Sequence, residues 1–195
     1  LDQDQDGYGD ACDQCPYNPS GWQSGCEHIK VQLKWEGSNT QWLSSSFNIV
    51  NNAGSISIPY NELKIRYWYT KDSAVAIAQY YNVYTFTPTG NTGDVSAAFV
   101  YLDTNSTTYA DYYIEISFAN STNLLANTSS GEIKIHSRKD DWSTYNWGND
   151  YSYNSSTSFL DAIQITLYRN GNLIWGDEPC PASYGAGNLI NCPAY

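Results

Sequence analysis

The chain has 195 residues, a formal net charge of −11 and only 15% charged residues, with 18 Tyr, 7 Trp and no Met. A chain this acidic repels phosphate backbones, which argues against nucleic acid as a partner, and no run approaches the ~18–20 apolar residues of a membrane-crossing helix. The length suits one sizeable core with small appendages.

Taken from the start, residues 1–27 hold Asp2, Asp4, Asp6, Asp10, Asp13 and Glu27 and no Lys or Arg. Counting Asp2 as position 1 of a twelve-residue loop puts Asp4 at 3, Asp6 at 5, Gly7 at 6, Tyr8 at 7, Asp10 at 9 and Asp13 at 12. That is the ligand schedule of an EF-hand loop, with a backbone carbonyl at 7 and glycine for the sharp turn. Calcium, a hard cation, suits carboxylates that otherwise repel one another. A solvated acidic linker is the plainer alternative, and the five acids in register with the glycine favour the loop. The chain opens at Leu1 without a signal-like apolar segment, as expected of a piece of a longer precursor.

The middle reads as strand after strand. "IKVQLKW" alternates Ile29, Val31, Leu33 and Trp35 with polar neighbours; "LKIRYWY" and "YYIEISF" follow the same period of two. Runs at 47–50, 80–86, 95–102 and 131–136 fit it as well, and "IQITLYRNGNLIW" forms two strands around Asn170-Gly171, a type I′ hairpin signal. Roughly nine or ten short strands predict an all-β fold, a two-sheet jelly-roll sandwich. "NVYTFTPTGNTGD" and "DWSTYNWGNDYSYNSSTS" are polar enough to be loops or strand ends with spare aromatic rings. Sequons stand at Asn105, Asn120, Asn127 and Asn154.

The five cysteines lie at the two ends, Cys12, Cys15 and Cys26, then Cys180 and Cys192. Such clusters suit disulfide staples on segments too short for their own core in an extracellular chain. A Cys180–Cys192 bridge would close the tail "CPASYGAGNLINCPAY" into a small loop. The odd count leaves one cysteine without a mate in this chain. No nucleophile, phosphate-loop or metalloprotease motif occurs, and Asp140 and Asp141 are adjacent, a poor pair for glycoside hydrolysis. The expectation is a protein that is not an enzyme.

Two resemblances follow from these residues. "DQDQDGYGDACDQCP" resembles the calcium-binding type 3 repeat of thrombospondins over residues 2–16. In that family the second Cys of one repeat bonds the first of the next, which implies a Cys15–Cys26 pair and sends Cys12 upstream. Residues 29–178 resemble a family 3 carbohydrate-binding module, through "FNIVNNAG", "LKIRYWYTKD", "ADYYIEISF", "DWSTYNWGNDYSY" and "ITLYRNGNLIWGDEP" in that order. The implied layout is 1–28 calcium loop and linker, 29–178 sandwich and 179–195 tail.

The second resemblance implies a jelly roll and a structural calcium. Its ligands would be Thr70 and Asp72 in "YTKD", Asn149 and Asp150 in "GNDY", and the carbonyl of Asn146, giving two calcium sites in all. It also implies a sugar-binding strip in which Trp142 matches the family's Trp. His136 stands at the family's Arg position and Asn82-Val83 at its Asp-His pair; the loop carrying the Tyr is shorter. Trp147 and Tyr84, with Tyr80 and Tyr145, are further rings for such a platform. The expected function is a secreted, calcium-stabilised, non-catalytic module for a cellulose-like polysaccharide. The alternative is a structural subunit of an extracellular filament or scaffold that keeps the fold, has lost the strip and assembles through its termini.

Overall fold

The computed structural model describes residues 29–179 apart from 53–54, 103–109 and 120. The segment expected to form the first calcium loop (Asp2, Asp4, Asp6, Tyr8, Asp10 and Asp13) therefore lies outside the described residues, as do tail residues 180–195 and the sequons at Asn105 and Asn120.

Period-two alternation becomes strand along the chain. The strands are β1 (Ile29–Trp35), β2 (Trp42–Asn51), β3 (Ile58–Pro59), β4 (Leu63–Tyr69), β5 (Gln79–Phe86) and β6 (Val95–Tyr101). They continue as β7 (Tyr112–Phe118), β8 (Asn123–Leu124), β9 (Thr128–Ser129), β10 (Ile133–Lys139), β11 (Leu160–Asp161), β12 (Ile165–Arg169) and β13 (Asn172–Trp175). In β1 the buried residues are Ile29, Val31, Leu33 and Trp35, with Lys30, Gln32 and Lys34 on the other side. Asn170 (φ 50°) and Gly171 (φ 85°) both hold positive φ between β12 and β13, as a type I′ turn requires.

All pairings are antiparallel. Apart from a small pair formed by β3 and β8, one sheet runs β11-β1-β2-β10-β5, with β9 also on β2, and the other runs β13-β12-β4-β7-β6. Their inner faces meet in one core, in which Val31, Leu33, Ile49, Ile65, Ile133, Ile165 and Leu167 are fully buried. Each such side chain stabilises the fold by about 1.5–3 kcal/mol. The result is an all-β jelly-roll-like sandwich.

The expected disulfide-closed tail is corrected. No disulfide is found among the described residues, and Cys15, Cys26, Cys180 and Cys192 all lie outside them. The sandwich is held by its apolar core and its strand ladders, and no cross-link is part of it.

Candidate functional site

Two clusters of polar and aromatic side chains stand out, one between loops at an end of the sandwich and one on the outer face of the six-stranded sheet.

The loop cluster forms where β4 ends. Thr70 follows the strand, Lys71 turns inward and is fully buried, and Asp72 takes a left-handed φ of 56°, a conformation Asp tolerates better than most residues. The facing loop carries Asn146, a short 3₁₀ turn (Trp147–Asn149) and Asp150. Asp72 joins the two: its Oδ2 accepts from the Asn146 N–H at 2.7 Å and its Oδ1 from Asn149 Nδ2 at 2.8 Å. Asp150 Oδ1 accepts from the Thr70 N–H at 2.9 Å, and Thr70 Oγ1 donates to the Asn149 carbonyl at 3.4 Å. The fold thus brings together all five residues expected there.

Two oxygens of this cluster, Asp150 Oδ2 and Asn149 Oδ1, are buried without a hydrogen-bond partner. An unpaired buried acceptor is costly. Burial lifts the Asp150 carboxyl to about 8, the Thr70 N–H works against the rise, and the charges of Asp72 and Asp111 add to it. Hydroxyl, amide and carboxylate oxygens, two of them orphaned, are the donors a hard cation accepts. The described residues contain no group of three or more His, Cys, Asp or Glu placed to hold a metal, so a cation here would have two carboxylates, Asp72 and Asp150, with neutral oxygens making up the rest.

Two lysines brace the same loops from inside. Lys139 Nζ donates to the Lys71 carbonyl at 2.9 Å and to the Thr144 carbonyl at 2.6 Å. Lys71 Nζ donates to the carbonyls of Ala74 (2.9 Å), Val75 (3.0 Å) and Ile77. Both are fully buried, and burial lowers both ammonium pKa values. The ammonium of Lys139 also lies 4.3 Å from the centre of the Tyr145 ring.

The second cluster begins one turn after β10. Trp142 holds φ 59° at the tip of a tight turn in which its N–H donates to the Lys139 carbonyl at 3.3 Å, and its own carbonyl accepts from Gln41 Nε2 at 2.9 Å. Its side chain is 47% exposed. A bulky residue in left-handed backbone is a real outlier, and such strain gathers at functional positions. Beside it on the outer face lie Trp42 from β2, His136 and Arg138 from β10, and Tyr80 and Tyr84 from β5. The strand register aligns Arg138 with Trp42 on one side and with Tyr80 on the other, and His136 with Asn82.

The ladder between β10 and β5 is irregular at Lys134/Ile135, where Thr85 and Val83 are the paired residues and Tyr84 is the extra one. Bulges re-aim side chains, and the Tyr84 ring comes to 4.3 Å from the His136 ring. His136 Nε2 is buried without a partner, and burial, helped by Lys134, lowers the His136 pKa against the pull of Glu36.

Trp142, His136 and Tyr84 therefore share this face. Trp147 does not. Its ring packs edge-on against core Trp35 at 4.9 Å and stacks toward Tyr153 at 6.4 Å, with Nε1 donating to the Trp42 carbonyl. Tyr145 is buried. Trp42 and Arg138, which sequence reasoning missed, complete the platform.

Comparison with known proteins shows the family. The family model described as cellulose binding domain matches residues 29–176. Exoglucanase-2 of Thermoclostridium stercorarium is 38% identical over 146 residues, covering 72% of this chain and 15% of that protein. Cellulosomal-scaffolding protein A of Acetivibrio thermocellus is 35% identical over 161 residues, covering 76% of this chain and 8% of that protein. The chain thus spans a small part of these relatives' length. Among solved structures, the CBM3b of the scaffoldin subunit ScaA from Acetivibrio cellulolyticus superposes with a TM-score of 0.70 at 32% identity, over 77% of this chain and 97% of that one. No described helix is long and apolar enough to cross a membrane. From its first strand to the end of its last, the chain belongs to the cellulose binding domain family, the family 3 carbohydrate-binding modules, as a non-catalytic extracellular module.

Proposed function

We propose that the chain holds a cellulose-like polysaccharide on the outer face of its six-stranded sheet, and that calcium stabilises the loop end of the sandwich. The observation that carries the first part is Trp142, half exposed in strained backbone beside Trp42, His136 and Tyr84. Ring faces offer apolar surface to the C–H faces of sugars, while Asn82 and the basic side chains of β10 meet hydroxyls. Pull-down on insoluble polysaccharides tests it: the full chain is retained, Trp142→Ala is not, and equal retention of both sinks the assignment.

Thr70, Asp72, the Asn146 carbonyl, Asn149 and Asp150 would hold the calcium, which supplies positive charge to the orphaned oxygens. Raising free calcium to 100 times its Kd stabilises the fold by about 2.7 kcal/mol, which shifts Tm by roughly 5–10 °C for a domain of this size. Asp150→Asn removes most of that shift in a thermal scan with calcium against chelator; an unchanged shift rules the site out.

The acidic segment takes a second calcium through Asp2, Asp4, Asp6, the Tyr8 carbonyl, Asp10 and Asp13. Support for that site and its thrombospondin-like form comes from the sequence pattern alone. Titration of the full chain would then give two calcium ions, falling to one in Asp4→Asn/Asp6→Asn. The relatives named for scaffolding support a module within a longer protein. Assembly through the termini is the competing reading, and light scattering in the pull-down buffer decides it: calcium-dependent growth in size without sugar retention favours assembly.

A further inference from the structure

The rings of the outer face do not lie in one plane. Trp42 and Trp142 meet with centroids 5.7 Å apart and planes at 80°. Trp42 and His136 stand at 60°, and His136 and Tyr84 at 42°. Along the run Trp142–Trp42–His136–Tyr84, no two neighbouring rings are coplanar. When either indole lies flat on the sheet, the other stands on edge beside it. Together they make a corner.

Arg138, paired with Trp42 across β10 and β2, reaches over the Trp142 ring. Its guanidinium lies 4.2 Å from the Trp142 ring centre and 5.0 Å from that of Tyr80. A planar cation between two ring faces is fixed in orientation. Among the described residues its side chain makes one hydrogen bond, from Nη1 to the Lys139 carbonyl at 3.2 Å, and no ion pair. A guanidinium carries five N–H donors, so most of them are available to a ligand's hydroxyl groups.

A crystalline polysaccharide face is a rigid plane. It can stack only on rings that lie parallel to it, and a wall standing up from the binding surface holds it off. A separated chain is a narrow ribbon. It can lay its apolar face on one indole, press its side against the other and turn its hydroxyl edge to a fixed guanidinium. We propose that this face is built for separated, non-crystalline glucan chains, with Trp42 and Arg138 as its specificity-determining residues. The inference rests on the polysaccharide-binding reading above and narrows it to one physical form of the ligand.

The test uses the full chain in three arms: gel retardation by soluble hydroxyethyl cellulose, depletion by acid-swollen cellulose, and depletion by microcrystalline cellulose. Retardation in the first arm and at least about tenfold weaker binding to the crystalline than to the swollen form are expected. Trp42→Ala and Arg138→Gln each weaken binding to the soluble polymer by about tenfold, the equivalent of one lost stacking or hydrogen-bonding contact. Arg138→Gln carries the test if Trp42→Ala unfolds early in a melting scan, because Arg138 lies part-buried on the outer face and outside the core. Equal binding to crystalline and swollen cellulose, or unchanged affinity in both variants, overturns this inference and leaves the general reading standing. Retention by none of the three overturns both.

Discussion

Trp142 sits where a glycine or asparagine is expected, at φ 59° in the turn after β10. Left-handed backbone costs a bulky residue on the order of 1–3 kcal/mol, and the contacts its ring makes with Trp42 and Arg138 return part of that. Replacing it with asparagine, which accepts this conformation, removes ring contacts and strain together. Trp142→Asn therefore leaves the unfolding free energy within about 1 kcal/mol of the parent, read from urea midpoints, while polysaccharide retention disappears. A strongly destabilised variant would show that the indole is structural. The legible part of this site in the sequence was its sharpest residue. Arg138 was hidden because "KIHSRK" was read as strand only to residue 136, whereas β10 continues to Lys139 and alternates Lys134, His136 and Arg138 outward. Trp147 misled for the opposite reason, since a polar loop can still fold one of its rings back onto the core rim.

At the scale of elements, β2 shows why strand ends were harder to read than strand centres. It begins at Trp42, well before the apolar run that marked it, because Ser44, Ser45 and Ser46 are all buried without looking so. Ser45 faces the core, while on the outer side Ser46 lies under a longer neighbour: its Oγ donates to Glu36 Oε1 at 3.2 Å. No hydropathy pattern can report burial that arises from a neighbour's side chain. The same blindness hid the two buried lysines, whose ammonium groups satisfy loop carbonyls that would otherwise be orphaned. Lys139 is the clearer case, since its ammonium ties the Lys71 carbonyl to that of Thr144. Each charge-assisted bond contributes about 1.5–3 kcal/mol, so Lys139→Met lowers stability by roughly 3 kcal/mol in urea unfolding, with the slope unchanged. A loss under about 1 kcal/mol would mean that the loops hold each other without it.

For the molecule as a whole, charge is spread unevenly. Residues 1–27 contribute six of the acids and no base, and the outer face of the six-stranded sheet carries an ordered network. Lys34 bridges Glu36 (2.6 Å) and Glu132 (2.8 Å), and Lys134 bridges Glu36 (2.9 Å). Burial raises the Glu36 carboxyl, but the hydrogen bonds from Lys34 and Lys134 outweigh it and hold the group at about 2. A folded pKa below the ordinary value of about 4.3 means stability that is full above that value and is lost as pH falls toward 2. Glu36→Gln therefore removes part of the acid sensitivity between pH 4.5 and 2, seen as a flatter plot of urea midpoint against pH; an identical slope would assign the acid loss to other carboxyls.

The lysines also decide how the protein can be handled. They are Lys30, Lys34, Lys64, Lys71, Lys134 and Lys139. With Lys71 and Lys139 sealed inside, amine-directed coupling of the sandwich is left to the other four. The strand registers put Lys34 and Lys134 opposite Ser46, on the side that also displays Trp42, with Lys30 on that side of β1; only Lys64 looks out from the opposite sheet. Attached to a bead or sensor chip through its lysines, the module would be pinned by its aromatic face, with the proposed binding surface turned to the support.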